Sequence, residues 1–580
     1  MAGRKVRIGG SSGFWGDTEV AAVQLVRHGN IDYLINDYLA EITMSIMAAM
    51  RLRKPEAGYA TDFVTHVMAP LAREIAEKRI KVVSNAGGVN PLACRDAVVK
   101  AAEAAGVTLK VAVVLGDDLM ARAEDMRAAG IVELDSGEAL PKNLVSMNAY
   151  LGAVPIARAL AEGADVVITG RCVDSALVLG PLMHEFGWKA DDFDRLAMGS
   201  LAGHILECGA QCNGGNFTDW HLVPDYDNMG FPIAEVDESG VFTVSKPEGT
   251  GGLITPATVG EQMLYEIGDP RAYLLPDVAC DFTRVRIEQV GKDVVRVSGA
   301  TGRPPTATYK TSATYPDGFK LVATFLMGGI EAAKKGRHIA DAIVKRVRRM
   351  LRERNLGDFR ELSIETLGAE ATYGPHARHG GSREVVVKIA ARHDQKEALT
   401  VLGREISPMG TGGVPGMTGF FGAGRATPNP VIRLFSCLVP KAMVPVEIDM
   451  AGGRIPVEVP AAGGFDVAAL PADPAIAGQV PGGDAVSLPL VALAYGRSGD
   501  KGDSCNIGII ARKPEYLPLI AAQVTERSVA QYFAHRARGK VTRWALPGID
   551  GFNFLLRNAL GGGGVASLQA DPQGKAYAQM

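Results

Sequence analysis

Five stretches of this chain have residue types and spacing that could hold an oxyanion or move a proton. Thr169-Gly170-Arg171-Cys172-Val173-Asp174-Ser175 sets a guanidinium three residues before a carboxylate. A guanidinium can grip a carboxylate or phosphate through paired N–H donors, and a carboxylate beside it either orients it or acts as a base. The competing reading is an ion pair that only fixes the loop. His204, Glu207 and Cys208 stand at i, i+3 and i+4, on one helical face. Their donor types suit zinc, but no second cluster with ligand spacing accompanies them, so no metal is expected. Glu207 is retained as an acid/base candidate. Gly9-Gly10-Ser11-Ser12-Gly13-Phe14-Trp15-Gly16-Asp17 leads from a strand to a helix, the setting in which backbone N–H groups cradle an anion. It fits neither GxGxxG nor a P-loop, and a tight turn explains it equally well. Asp17 inside an anion site would instead serve proton transfer. Lys246-Pro247-Glu248-Gly249-Thr250-Gly251-Gly252 and Gly499-Asp500-Lys501-Gly502-Asp503-Ser504 each combine lysine, glycine and an acid, as turns also do.

Asp17, Arg171, Asp174 and Glu207 are therefore the catalytic candidates. The fixed fork of Arg171 would hold an oxyanion, Asp174 would be base or orienting group, and Glu207, if buried, the acid. Gly10, Ser11, Ser12, Gly13, Asn85, Gly87, Gly88, Lys246, Glu248, Gly249 and Gly251 are the substrate-binding candidates. No Gly-x-Ser-x-Gly elbow or Cys/His signature of an acyl-enzyme hydrolase occurs, and His376 and His379 read as loop residues.

These residues sit where a repeated pattern puts them. Val6–Ile8, Asp32–Ile35, Lys81–Val83, Val111–Leu115 and Val166–Ile168 are apolar strands, each followed by a glycine- or acid-rich loop and a helix. Strands apolar on both faces and joined by helices specify a parallel sheet covered on both sides, with ligands at the carboxyl ends. Gly13, Asp17, Asn85, Gly87, Arg171 and Asp174 should then share one cleft. Asn90 followed by Pro91 reads as a helix cap and first turn. Short alternating strands follow over 278–327, then a helix near 330–354 with a basic face, which reads as solvated. Glu384–Ile389, a helix near 396–402 and Val431–Leu438 suggest a second α/β layer. The expectation is a mainly parallel, Rossmann-like layered α/β core over 1–460 with a break near 280, a Pro/Gly/Ala-rich linker over 461–487, and a small α+β unit over 488–580 whose strands stay out of the core sheet.

Composition narrows the function. At 580 residues the chain has room for about three to four domains. Lys+Arg of 61 against Asp+Glu of 64 leaves a net charge of −3, which supplies no global field for nucleic acid. Aromatic residues are only 6%, so the core must rest on Ala, Val, Leu and Ile, as in an α/β enzyme. The seven cysteines include no CxxC pair and sit among apolar neighbours, as reduced thiols do. No apolar run is long enough to span a membrane, and the first ten residues lack a signal-peptide core. A cytoplasmic enzyme is expected.

Several of these phrases together resemble the acyclic terpene utilisation (AtuA) family over nearly the whole chain. They are Ile8 to Asp17, Asp32-Tyr33-Leu34-Ile35-Asn36-Asp37-Tyr38-Leu39-Ala40-Glu41, Thr169 to Ser175, Glu207-Cys208-Gly209-Ala210-Gln211 and Lys246 to Gly252. Tyr495-Gly496-Arg497-Ser498-Gly499-Asp500-Lys501-Gly502-Asp503 resembles the ferredoxin-fold module that ends many members. The resemblance implies a place in the breakdown of citronellol- and geraniol-like compounds through branched acyl-CoA thioesters. It supplies a pathway and a ligand class rather than a reaction; lyase or hydratase chemistry in a homo-oligomer is the expectation, with coenzyme A as part of the substrate and no further cofactor. A non-catalytic CoA-thioester-binding protein or assembly partner of an acyl-CoA carboxylase, and a thioester or C–C hydrolase, are the other readings. It carries over no catalytic residues.

Overall fold

The computed structural model describes residues 3–420, 425–450, 452–476, 478, 480, 482–483, 486–564 and 566–580. At its centre, Lys5–Gly10, Tyr33–Asn36, Lys81–Ser84, Val166–Thr169 and Val111–Leu115 lie side by side in that order, all parallel. Successive residues point into different cores: Tyr33 and Ile35 enter one, Leu34 the other. This period of two explains why the strands read as unbroken apolar runs.

The expectation of a mainly parallel sheet needs correcting. Among the described residues the sheet has eleven strands, and six antiparallel ones extend the parallel centre at both edges. Ile233–Asp237, Phe242–Ser245, Val294–Ser298 and Arg286–Gly291 continue it beyond Lys5–Gly10, and Val446–Met450 with Gly453–Val457 continue it beyond Val111–Leu115. Hairpin-connected strands need no crossover helix, so they add at the edges without disturbing the centre. The helix Pro91–Ala104 begins at its proline as read, but the Asn90 side chain donates to the carbonyls of Pro55 and Ala57 and does not cap it.

The second layer is built on one strand, Thr308–Gly328, where the sequence suggests several short ones. Its first half pairs with Ser146–Ala149, its second half with Glu384–His393, and Asn429–Pro440 runs along most of it. The helices Ala332–Glu353 and Lys396–Ile406 lay their apolar faces on this sheet. The basic face of the longer helix is turned outward, with Arg337 paired to Asp341 and Arg348 to Asp358. Ser146–Ala149 comes from the first layer in sequence, so the two layers are stitched together beside the carboxyl ends of the parallel strands.

At the C-terminus, Ala494–Lys501, Ser504–Ala511, Gly551–Leu556 and Val541–Leu546 form a separate antiparallel sheet in that spatial order. The helices Leu517–Gln523 and Glu526–Tyr532 cover one face, with Ile507 and Ile509 in that core. Residues alternate with these, and Asn506, Gly508 and Ile510 turn to the main body: Asn506 donates to the Leu264 carbonyl and Ile510 enters the main core. A side chain at Gly508 would collide with Leu264, so glycine there lets the helix Pro256–Leu264 lie against the sheet. Among the described residues no helix is long and apolar enough to cross a membrane.

Candidate active site

A cleft of about 890 Å³ opens where these three parts meet. Loops after the parallel strands supply Gly13, Asp17, Asp37, Arg171 and Asp174. Tyr150 and Lys310 come from the second sheet, and Lys501, Gln573 and Lys575 from the C-terminal unit. Its volume suits a small organic ligand.

One corner is built on Arg171. Its side chain is buried to 4% exposure, its guanidinium donates to the Asp174 carboxylate at 2.6 Å and to the Cys172 carbonyl at 2.9 Å, and it lies 4.1 Å over the Tyr150 ring. Its backbone N–H donates to Asp117, which also accepts from Asn148 Nδ2, both at 2.8 Å. Burial pushes the Asp117 carboxyl up to about 7. The loop is thus anchored below by Asp117 and presents an oriented Arg–Asp pair above.

The opposite corner is built on Glu207. His204 is fully buried at the end of the helix Phe193–Leu206, with Nε2 3.0 Å from the Met263 carbonyl and Nδ1 3.0 Å from Glu207 Oε1. A carbonyl only accepts, so Nε2 carries a proton, and the Nδ1–Oε1 contact then holds one proton that either partner can own. Burial pushes the Glu207 carboxyl up, and the charge of Asp174 adds to this, against the pull of His204 and Lys501. Burial likewise raises the Cys208 thiol well above its usual value, which disfavours a thiolate nucleophile there. Both imidazole nitrogens of His204 are already engaged. Among the described residues, no group of three or more His, Cys, Asp or Glu side chains is placed to hold a metal ion.

Asp37 lies between the corners. Burial, reinforced by Asp174, raises its carboxyl well above the carboxylate range, although Asn85 Nδ2 donates to it at 2.6 Å. Apolar side chains surround the polar floor: Phe14, Ile42, Ile46, Leu274 and Leu438 line the cleft and remain exposed.

Glycines bring the corners together by removing side chains. A side chain at Gly203 would overlap the Ser175 backbone, and one at Gly13 the Cys208 backbone. The Glu207 helix end therefore packs directly on the Arg171 loop and on the first strand's loop.

Asp17, Arg171, Asp174, Glu207 and Gly13 meet in the cleft. The other candidates do not line it, and the anion-cradle reading of 9–17 is corrected. Gly10 N–H donates to the Pro232 carbonyl, Ser11 N–H to that of Ile35, and Gly13 N–H to Asp17 itself at 2.9 Å. Gly10 lets Leu206 pack close, while the hydroxyls of Ser11 and Ser12 donate to the carbonyls of Ile35 and Asp37. Asp17 closes its own loop, also accepting from Thr18 N–H at 2.7 Å. Asn85 stands behind Asp37 as its hydrogen-bond donor and also accepts from Tyr38 N–H. Gly87 is in contact with Thr169 and Pro91, and Gly88 with Met47. The loop of Lys246, Glu248, Gly249 and Gly251 folds on itself away from the cleft: Lys246 donates to the Thr250 carbonyl at 2.7 Å and faces Asp293, and Gly251 packs on Asp225.

Sequence reasoning missed Asp37, Tyr150, Tyr265, Glu266, Tyr273, Lys310, Lys501 and Lys575 as site residues. Asp37 was within reach, since it directly follows the strand Tyr33–Asn36. Lys501 stood in a stretch already singled out. The others carry no local signal, because distant pairing delivers them.

Residues 6–450 match the family model described as acyclic terpene utilisation family protein AtuA, and residues 488–580 match that described as AtuA ferredoxin-like domain. No curated protein matches the chain, and no solved structure does.

Proposed function

The chain belongs to the acyclic terpene utilisation (AtuA) family, and from that premise we infer that its cleft is the active site of a catabolic enzyme acting on branched or terpenoid acyl-CoA thioesters by hydratase- or lyase-type proton transfer. One observation carries this reading. Two carboxyls, Asp37 and Glu207, are held toward their protonated forms by burial, within the field of an Asp174 carboxylate bound to Arg171. Groups driven apart in protonation state within one cleft are what combined acid and base chemistry requires.

In this reading Arg171 holds the thioester oxygen and stabilises charge that develops on it. Asp174 removes a proton from the carbon beside the carbonyl, or orients the water that adds. Glu207, which lines the cleft, delivers a proton and regains one from solvent, while His204 holds its carboxyl in place. The apolar residues around the floor accept the branched chain, whose burial contributes about 25 cal/mol per Å². Cys208 is not used as a nucleophile.

Incubating the protein with a panel of acyl-CoA thioesters, read by mass spectrometry, tests the assignment. A gain or loss of water, or cleavage of a carbon–carbon bond, supports it. Release of free coenzyme A as the only change assigns a hydrolase instead. Unchanged masses throughout, with tight binding of a thioester, assign a binding partner.

A further inference from the structure

The C-terminal unit reaches the cleft through a docking arrangement more elaborate than cohesion needs. Asn506 and Asn553 are buried side by side, with Asn506 Nδ2 2.9 Å from Asn553 Oδ1. Together they bind the turn after the helix Pro256–Leu264. Asn506 Nδ2 donates to the Leu264 carbonyl at 2.6 Å, and its Oδ1 accepts from Glu266 N–H at 2.9 Å. Asn553 Nδ2 donates to the carbonyls of Ile267 and Gly268 at 3.0 and 2.7 Å. Glu266 takes the left-handed conformation in this turn, with φ of 59°, which a non-glycine residue adopts only when its surroundings enforce it. The turn aims Tyr265 and Glu266 into the cleft.

Against them the unit sets two lysines. Lys575 Nζ donates to Glu266 and to Asp500, each at 3.1 Å, and contacts the Tyr265 hydroxyl. This fixes Lys575 in place. Lys501 stands differently, at the tip of the hairpin joining Ala494–Lys501 to Ser504–Ala511, beside Gly502 at φ of 59°. Its Nζ is 3.7 Å from Glu266 Oε2, and its side chain keeps 49% exposure while lining the cleft. A half-exposed ammonium on a short turn, held near a carboxylate, can redirect its charge to an incoming anion without first being dug out of the protein.

We propose that Lys501 is the anion-receiving residue of the cleft, delivered to it by the C-terminal unit, and that it takes an oxyanion of the ligand, either a phosphate of the coenzyme A moiety or a carboxylate on the acyl part. Only the naming of these two sources rests on the function inferred above. Lys575 is then a positioning residue, acting through Glu266. The Gly499–Ser504 stretch, whose lysine, glycines and acids read equally well as a plain turn, gains a role as the carrier of Lys501.

The test is calorimetric titration of the full chain with two separate probes, coenzyme A and decanoic acid, at low and high salt. The parent is compared with Lys501→Ala, Lys501→Arg and Lys501→Glu, and with Lys513→Ala, a surface lysine of the same unit, as control. Lys501→Ala should weaken at least one probe by about tenfold, as loss of a charge-assisted hydrogen bond does. Lys501→Arg should recover most of that loss, Lys501→Glu should deepen it, and salt should weaken the parent more than Lys501→Ala. An effect on coenzyme A alone identifies a phosphate, and on decanoic acid alone a carboxylate. Thermal melting of each variant shows that the fold persists, and the recovery by arginine separates a charge role from a packing role. If the parent binds a probe and Lys501→Ala binds it equally well, the proposal fails while the inferred function stands. If the parent binds neither probe, the proposal fails, and the thioester panel alone decides the inferred function.

Discussion

The two corners of the cleft hold the same kind of pair, a carboxyl beside a nitrogen base, and build opposite instruments from it. Arg171 and Asp174 meet at 2.6 Å, and a guanidinium does not give up its proton under working conditions, so that corner is a fixed dipole. His204 and Glu207 meet at 3.0 Å across a contact that can pass a proton, and burial raises the Glu207 carboxyl. The lesson is that proximity of opposite charge does not define a role. What defines it is whether the base can release its proton, and how much water reaches the acid.

Removing the movable proton should have the largest effect. Glu207→Gln keeps the shape but cannot shuttle a proton, so turnover should fall by roughly 10²–10⁴-fold while ligand affinity stays near the parent's. Steady-state kinetics together with direct titration would check this, and an equal loss of both would make Glu207 a packing residue. At the fixed corner, Arg171→Lys keeps the charge and loses the fork. Affinity or rate should drop by one to two orders of magnitude, from a loss of about 1.5–3 kcal/mol. Asp174→Asn should lower kcat more than it raises KM. Parent-like behaviour of both variants would leave the corner merely structural.

A smaller effect concerns stability. The folded-state value of Asp37 is raised, so the native protein binds that proton more tightly than the unfolded chain. Its stabilising contribution is complete below the unfolded carboxyl value of about 3.9 and is lost as pH rises through the raised value. Asp37→Asn should therefore make Tm decline less steeply with rising pH than in the parent, as melting curves from mildly acidic to alkaline pH would show. An unchanged slope would mean that Asp37 is not held protonated. The smallest catalytic effect is expected at Lys246, whose loop lies away from both corners. Lys246→Ala should cost about 1–3 kcal/mol of stability by leaving a carbonyl unpaired, with turnover unchanged within about twofold. A selective loss of turnover would return that loop to the site.

The carboxyl-end rule, read from apolar strands alone, brought Gly13, Asp17, Arg171 and Asp174 to one cleft, because a parallel sheet with helices on both faces leaves ligands no other common edge. Glycine was the harder residue to read. Gly10 and Gly13 look like ligand-binding glycines in sequence, yet each admits a neighbouring backbone or side chain. Close approach of protein to protein and of protein to phosphate require the same missing Cβ. The edge strands were out of reach for a different reason. Thr308–Gly328 pairs with segments from 146 to 440, and nothing local in Lys310 or Tyr150 announces that such pairing will turn them toward Arg171. Lys575 was hidden likewise, and Lys501, although its stretch stands out in sequence, reaches the cleft only through docking that depends on Asn506, Gly508 and Asn553 acting together.

The most direct test of the central claim follows solvent hydrogen. The parent and Glu207→Gln are incubated in heavy water with short branched acyl-CoA thioesters, and deuterium next to the thioester carbonyl is counted by mass spectrometry. The account predicts that the parent places deuterium on that carbon, and that the variant does so at least about a hundredfold more slowly. Equal labelling by both proteins, or none by the parent with any thioester, would contradict it.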